Sequence, residues 1–315
     1  MFKKTLIFIL VIGVILVAVG LIMTGGDFEK IVNAFNSDND YSFKEESGSE
    51  EVKDLNIKLV SGNVVFHIYD GEGYKLDYYE SEYDTKKITF ENSCLKIDNN
   101  VKAKFRFFNI SFNSKKISAF NIYLPKTFCG KVNIQTVSGD ITINDFNFKS
   151  LNIELTSGNA KLSKVIVEGD TNINSLSGDI NLSNFQTNSL IIKATSGIID
   201  LKDTVINLDA NLKSTSGRVK ISASIIPSIV IHASSGNVEI INVECDNVDA
   251  RLFSGNAKIT IYGNSDEYKI DASVSSGNIH YQGRKIDGSL YDPSGTKSLK
   301  VKCSSGNIEI NFIKK

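Results

Sequence analysis

The sequence predicts an all-β fold, a single-stranded parallel β-helix of about 20 residues per coil, with a β-rich N-terminal cap and one N-terminal transmembrane helix. Three observations carry this. A Ser-Gly dipeptide, usually followed by Asn or Asp, recurs ten times along the chain. Apolar residues alternate with period two on both sides of it. An uncharged, largely apolar run, Thr5 to Met23, stands near the N-terminus.

Taken in order, that run comes first. As a helix, a run of this length spans roughly 28 Å, the thickness of a bilayer core. A cleaved signal would be shorter and end in a small-x-small site, whereas Ala18-Val19-Gly20 lies inside the run. Lys3 and Lys4 precede it and Asp27 and Glu29 follow, so the N-terminus stays cytoplasmic and the bulk of the chain lies outside a single-pass cell membrane anchor. The expected organisation is residues 1–23 as tip and anchor, 24–50 as flexible linker, 51–130 as first repeat and cap, and 131–315 as solenoid. The linker reading rests on the polar, acidic stretch 36–50.

The repeats follow. Corners fall at Ser61-Gly62, Ser138-Gly139, Ser157-Gly158, Ser177-Gly178, Ser196-Gly197, Ser216-Gly217, Ser235-Gly236, Ser254-Gly255, Ser276-Gly277 and Ser305-Gly306. From Ser138 to Ser254 the steps between successive serines are 19 or 20, and the last two are 22 and 29. A fixed period of this size marks a solenoid. Counting each Ser as zero, offsets −6, −4 and −2 are apolar, as in Leu151, Ile153 and Leu155, and so are +3 and +5, as in Ala160 and Leu162. The change of parity across the Ser-Gly demands a bend, and Gly accepts the positive φ of a tight one. A further apolar position near +8 (Phe146, Val165, Phe185, Val243) completes the coil. So short a coil has no room for a strand, crossover helix and strand, so it is all β, and right-handed by the rule for parallel connections. By parity the serine hydroxyls should point inward, and Asn or Asp at +2 should form a ladder across rungs. The rod from Ser138 to Ser305 is about 38 Å long.

The long interval between Ser61 and Ser138 holds strand-like runs, expected to cap the open end. At the other end the last coil, through Ile310, is expected to form a thinly covered edge open to self-association, and the segment 283–298 to project as a loop.

These motifs carry a resemblance. A β segment ending in Ile122-Tyr123-Leu124-Pro125 runs into rows of S-G-N/D-I/V-x-I/L. Over residues 52–312 the chain resembles the bacterial "putative adhesin" domain-of-unknown-function family, often membrane-anchored and in some members adjacent to cell-envelope stress systems. The resemblance implies the solenoid fold and supplies no established catalytic residues to carry over.

Other functions find little footing. With 35 Lys+Arg against 36 Asp+Glu, net charge −1, nucleic acid is not an expected partner. Cys94, Cys129, Cys245 and Cys303 lack metal-ligand spacing and read as small hydrophobes in strands, with their disulfide state open. The histidines 67, 232 and 280 are scattered. No cofactor is expected. The outward columns at +4 and −3 read as mixed in sign, an ordinary solvated surface. Tyr74, Tyr78, Tyr79 and Tyr83, interleaved with acids, are candidates for a binding surface on sugars or a basic partner, against the alternative of cap packing. The sequence thus points to a non-enzymatic, adhesin-like surface module whose partner is cell-wall polymer or an envelope membrane protein. The alternatives are a polysaccharide lyase or hydrolase on the same fold and a self-assembling envelope protein.

Overall fold

Period-two alternation becomes parallel pairing in register. The computed structural model describes residues 41–81, 84–101 and 119–315. The apolar run of residues 5–23, and with it the expected anchor, lies outside them, as does Tyr83. Each repeat contributes one strand before the corner and one after it, and four mid-ladder repeats add a short third strand. For the Ser157 repeat these are Ser150–Ser157, Ala160–Ser163 and Ile166–Val167. Equivalent strands of neighbouring repeats stack into a pre-corner sheet of 13 strands, a post-corner sheet of 14 and a narrow third side of 4.

The core fills the space between them. Leu151, Ile153, Leu155, Ala160 and Leu162 are all buried, as are Phe146, Val165, Phe185 and Val243 at +8. Each fully buried aliphatic side chain contributes about 1.5–3 kcal/mol, which is how a chain without helices among its described residues, apart from one short 3-10 turn, holds together. A second buried position at +10, Phe148, Val167, Ile206 and Ile226, belongs to the third side. Between the post-corner strand and the third side, residue +7 turns the chain at positive φ, from 49° to 63°, in Asp145, Lys164, Asn184, Asp203, Ala223 and Asn242.

At both ends the rungs stack out of chain order. The Ser61 rung, Asp54–Ser61 and Val64–Tyr69, is flanked on one side by the Ser138 rung. On the other side lie Cys94–Val101 and Phe120–Pro125. The inserted strands therefore extend both sheets and do not lie across the end as a lid. Antiparallel strands close this end: Tyr74–Glu80 and Ser42–Gly48 on the post-corner sheet, Asp84–Glu91 on the pre-corner sheet. The expected linker is thus shorter than 24–50, because Ser42–Gly48 is an edge strand. Its acidic composition suits an edge, where backbone pairing holds the strand and charge blunts further pairing.

At the other end the Ser305 rung, Lys297–Ser305 and Ile308–Ile313, inserts between the Ser254 and Ser276 rungs. The last coil in sequence is not the edge: Ile310 is fully buried and pairs with Ile259 and Tyr281. The segment expected to project instead supplies the cap, with Arg284–Ile286 and Ser289–Asp292 antiparallel on the two outermost strands. Tyr268, fully buried, plugs this end by donating its hydroxyl to the Cys245 carbonyl and packing on Phe312 at 5.1 Å.

Candidate binding face

The corner is the most repeated chemistry in the chain, and it is structural. All ten serines stand in one in-register column. Their side chains do not point inward as parity suggests. Nine of the ten are exposed, and Ser61 is half-buried. The strand already bends at −1, so −1 and 0 both face solvent. Each repeated glycine has φ between +104° and +148°. From Gly139 onward, a Cβ there would lie 1.7–2.1 Å from the carbonyl oxygen of the glycine one rung away. At +2 the side-chain oxygen accepts from the backbone N–H of the next rung: Asn63 from Asp140, Asp140 from Asn159, Asn159 from Asp179, Asp179 from Ile198. Ile198 and Arg218 interrupt the ladder, which resumes from Asn237 through Asn256 and Asn307 to Asn278.

The same bend creates a groove. Because the chain kinks after −2, the side chains at −3 and −1 diverge and stand as two walls along the pre-corner sheet. Across six repeats the −3 wall is Lys58, Gln135, Glu154, Asn174, Lys193 and Lys213 and the −1 wall is Val60, Val137, Thr156, Leu176, Thr195 and Thr215, with Asp98 and Asn99 of the neighbouring strand at one end. The trough encloses about 740 Å³ and runs across six rungs, roughly 24 Å at rung spacing. Val137 and Leu176 on the −1 wall are 49% and 55% exposed. One wall is apolar or hydroxylated, the other amide-bearing or charged, and that combination suits an extended, amphipathic chain.

The tyrosine candidates divide. Tyr74 and Tyr78 are buried, stacked on Phe90 (6.1 Å) and Phe120 (5.1 Å). Burial, with Glu80 and Glu46 nearby, pushes the Tyr78 phenol well above its ordinary range. Of the three described candidates, Tyr79 alone is not buried, and it stands edge-on to Phe43 at 5.4 Å. Beside it is a cluster that sequence reasoning missed. The His67 ring stacks on Tyr123 at 4.7 Å and contacts the Asn121 side-chain oxygen at 2.9 Å. Lys75 lies 5.4 Å over Tyr123, bridged to Glu45 (3.3 Å) and Asp77 (3.5 Å). Burial and then Asp77 raise the Tyr123 phenol. These charges satisfy one another, so the cluster reads as a fastening of the edge strand.

The four cysteines are free. Cys303 is buried in a strand, whereas buried Cys245 and exposed Cys129 both lie in connections between strands rather than in strands. Among the described residues no group of three or more His, Cys, Asp or Glu side chains is placed to hold a metal ion.

An all-β parallel ladder with an N-terminal extension of both sheets and a long groove along one of them defines the class: a β-solenoid. Residues 52–311 match the family model described as Toastrack DUF4097, and the chain belongs to that family. Solved structures similar to it include a "putative adhesin" from Bacteroides fragilis, 14% identical, covering 85% of this chain and 97% of that one, TM-score 0.41. Another is a "putative lipid binding protein" from Parabacteroides distasonis, 14% identical, covering 89% and 98%, TM-score 0.45. A "putative cell adhesion protein" from Clostridium sporogenes is 17% identical, covering 86% and 100%, TM-score 0.21. No curated protein matches it.

Proposed function

We propose that this chain is a non-enzymatic interaction module of the cell envelope, held at the membrane by its N-terminal apolar run with the solenoid outside. It receives extended wall polymer along the pre-corner groove. The observation that carries this reading is the groove, which lies parallel to the ladder axis, stays open for six rungs and keeps aliphatic side chains in water. A chain-like ligand matches that shape better than a compact one. The rigid ladder sets its walls before binding, so little ordering entropy is lost on association.

The test uses the full chain in a neutral detergent, sedimented with purified sacculi. Saturable co-sedimentation that weakens when Leu176→Glu places a charge on the groove wall supports the module. Absence of binding at high protein concentration refutes it.

A further inference from the structure

In chain order the −3 column of the later repeats reads Lys193, Lys213, His232, Arg251, Ser273, Lys302. In space the Ser305 rung precedes the Ser276 rung, so Lys302 pairs directly with Arg251 and Ser273 moves to the end. Five basic side chains then occupy consecutive rungs, Lys193 to Lys302, with no acid between them. All five are exposed. At about 4.8 Å per rung the stripe is roughly 19 Å long, and its first two members are also the last of the groove wall.

Folding does not reward this arrangement, because like charges facing across a ladder are destabilising. The post-corner sheet avoids it: Asp200, Lys220, Glu239, Lys258 and Glu309 alternate in sign rung by rung. On the stripe, Arg251 is braced by Asp249 (2.7 Å) and Lys302 by Asp271 (3.6 Å). Lys193 and Lys213 make no ion pair among the described residues. Beside the stripe the −1 column supplies exposed hydroxyls from Thr195, Thr215, Ser234 and Ser304, which can donate to anionic oxygens.

We infer that this stripe binds a linear phosphodiester polymer, the negative repeats lying along the basic column and the hydroxyls completing the contacts. The inference deepens the module reading and rests on it. A file of cations with hydroxyls on one side and, on the other, a column in which Lys300 sits between Asp249 and Asp271 is the width of one chain, not of a lipid surface. Phe253 is the one aromatic in the adjacent −1 column of these rungs, where single-stranded nucleic acid binding uses a series of stacking rings.

The experiment titrates the full chain in neutral detergent with a synthetic glycerol-phosphate oligomer. The comparison probes are an uncharged glycan, a single-stranded oligonucleotide of equal charge, and vesicles containing anionic lipid. With four permanent cations engaged, log affinity should fall against log salt with a slope of about −3. Lys193→Gln with Lys213→Gln should bring that slope to about −1.4 and weaken binding on the order of 25-fold at 0.1 M salt. Lys161→Gln with Lys220→Gln, on the opposite sheet, should leave it unchanged. Salt-independent binding, equal losses from both double variants, or tighter binding of the oligonucleotide or vesicles would overturn the inference. Sacculi bound equally well after removal of their anionic polymers would also overturn it while leaving the module reading intact. Phosphodiester binding without any sacculus binding would support the stripe and refute the wall module.

Discussion

Replacing Gly236 by Ala probes the corner ladder at its tightest point. Gly236 has φ +131°, a region that other residues essentially do not occupy, costing about 1–3 kcal/mol. The added Cβ would sit 1.7 Å from the Gly217 carbonyl oxygen and 2.7 Å from its carbon, both backbone atoms. Relief requires the two rungs to separate. The Gly217 N–H bond to Ser235 and the Val219 N–H bond to Asn237 oppose that movement, at 3.1 and 2.9 Å. Overpacking adds about 1–3 kcal/mol, for a total of about 2–6 kcal/mol. Gly288 is the control, with φ +84° and no described atom within 4 Å of an added Cβ, so its Ala variant should lose only about 1–2 kcal/mol. Urea unfolding of the full chain, followed by circular dichroism, compares them. Equal losses at Gly236 and Gly288 would refute the argument that glycine is required by the neighbouring rung.

Further outcomes follow from the same geometry. Ile198→Asn should restore an acceptor to the broken amide ladder, bond the Arg218 N–H and stabilise by about 0.5–1.5 kcal/mol, read as a higher urea midpoint. Ala223→Asn should stabilise by up to about 1 kcal/mol in the same assay, because Ala223 holds φ +49° where other rungs use Asn184 and Asn242. Loss of stability there would show that the turn is not left-handed. For the thiols, burial pushes Cys245 up to about 12, and burial with Glu168 alongside raises exposed Cys129 more modestly. A raised pKa means less thiolate, so iodoacetamide near pH 8 should label Cys129 slowly, faster as pH rises, and Cys245 only after unfolding. Peptide mass spectrometry reads both sites.

The repeat core was legible because each rung restates it. Parity at −6 through +5 assigns Leu151 to Leu162 to the interior, and Gly at +1 announces the corner. What the sequence hid has physical causes. The left-handed turn at +7 is filled by Asp, Lys, Asn and Ala alike, so no residue type marks it. Serine orientation followed from an assumption that the strand stays straight to the corner, whereas the bend begins one residue earlier. Ser42–Gly48 read as linker because an edge strand is held by backbone pairing, which composition does not record. The longest concealment lies in rung order. Chain order places Ser273 between Arg251 and Lys302 and makes the column look mixed, while the long step from Ser276 to Ser305 allows the final coil to return one rung inward.

That rung order is what joins the fold to the proposed polymer stripe, and cross-linking tests it directly. In a chain carrying Cys129→Ser, the pair Arg251→Cys and Lys302→Cys should close a disulfide under mild oxidation, since adjacent rungs bring Cα atoms to about 4.8 Å. The pair Arg251→Cys and Ser273→Cys, two rungs apart at about 9.6 Å, should stay reduced. Bridging of 251 to 273 without bridging of 251 to 302 would contradict the inserted final coil and dismantle the stripe with it.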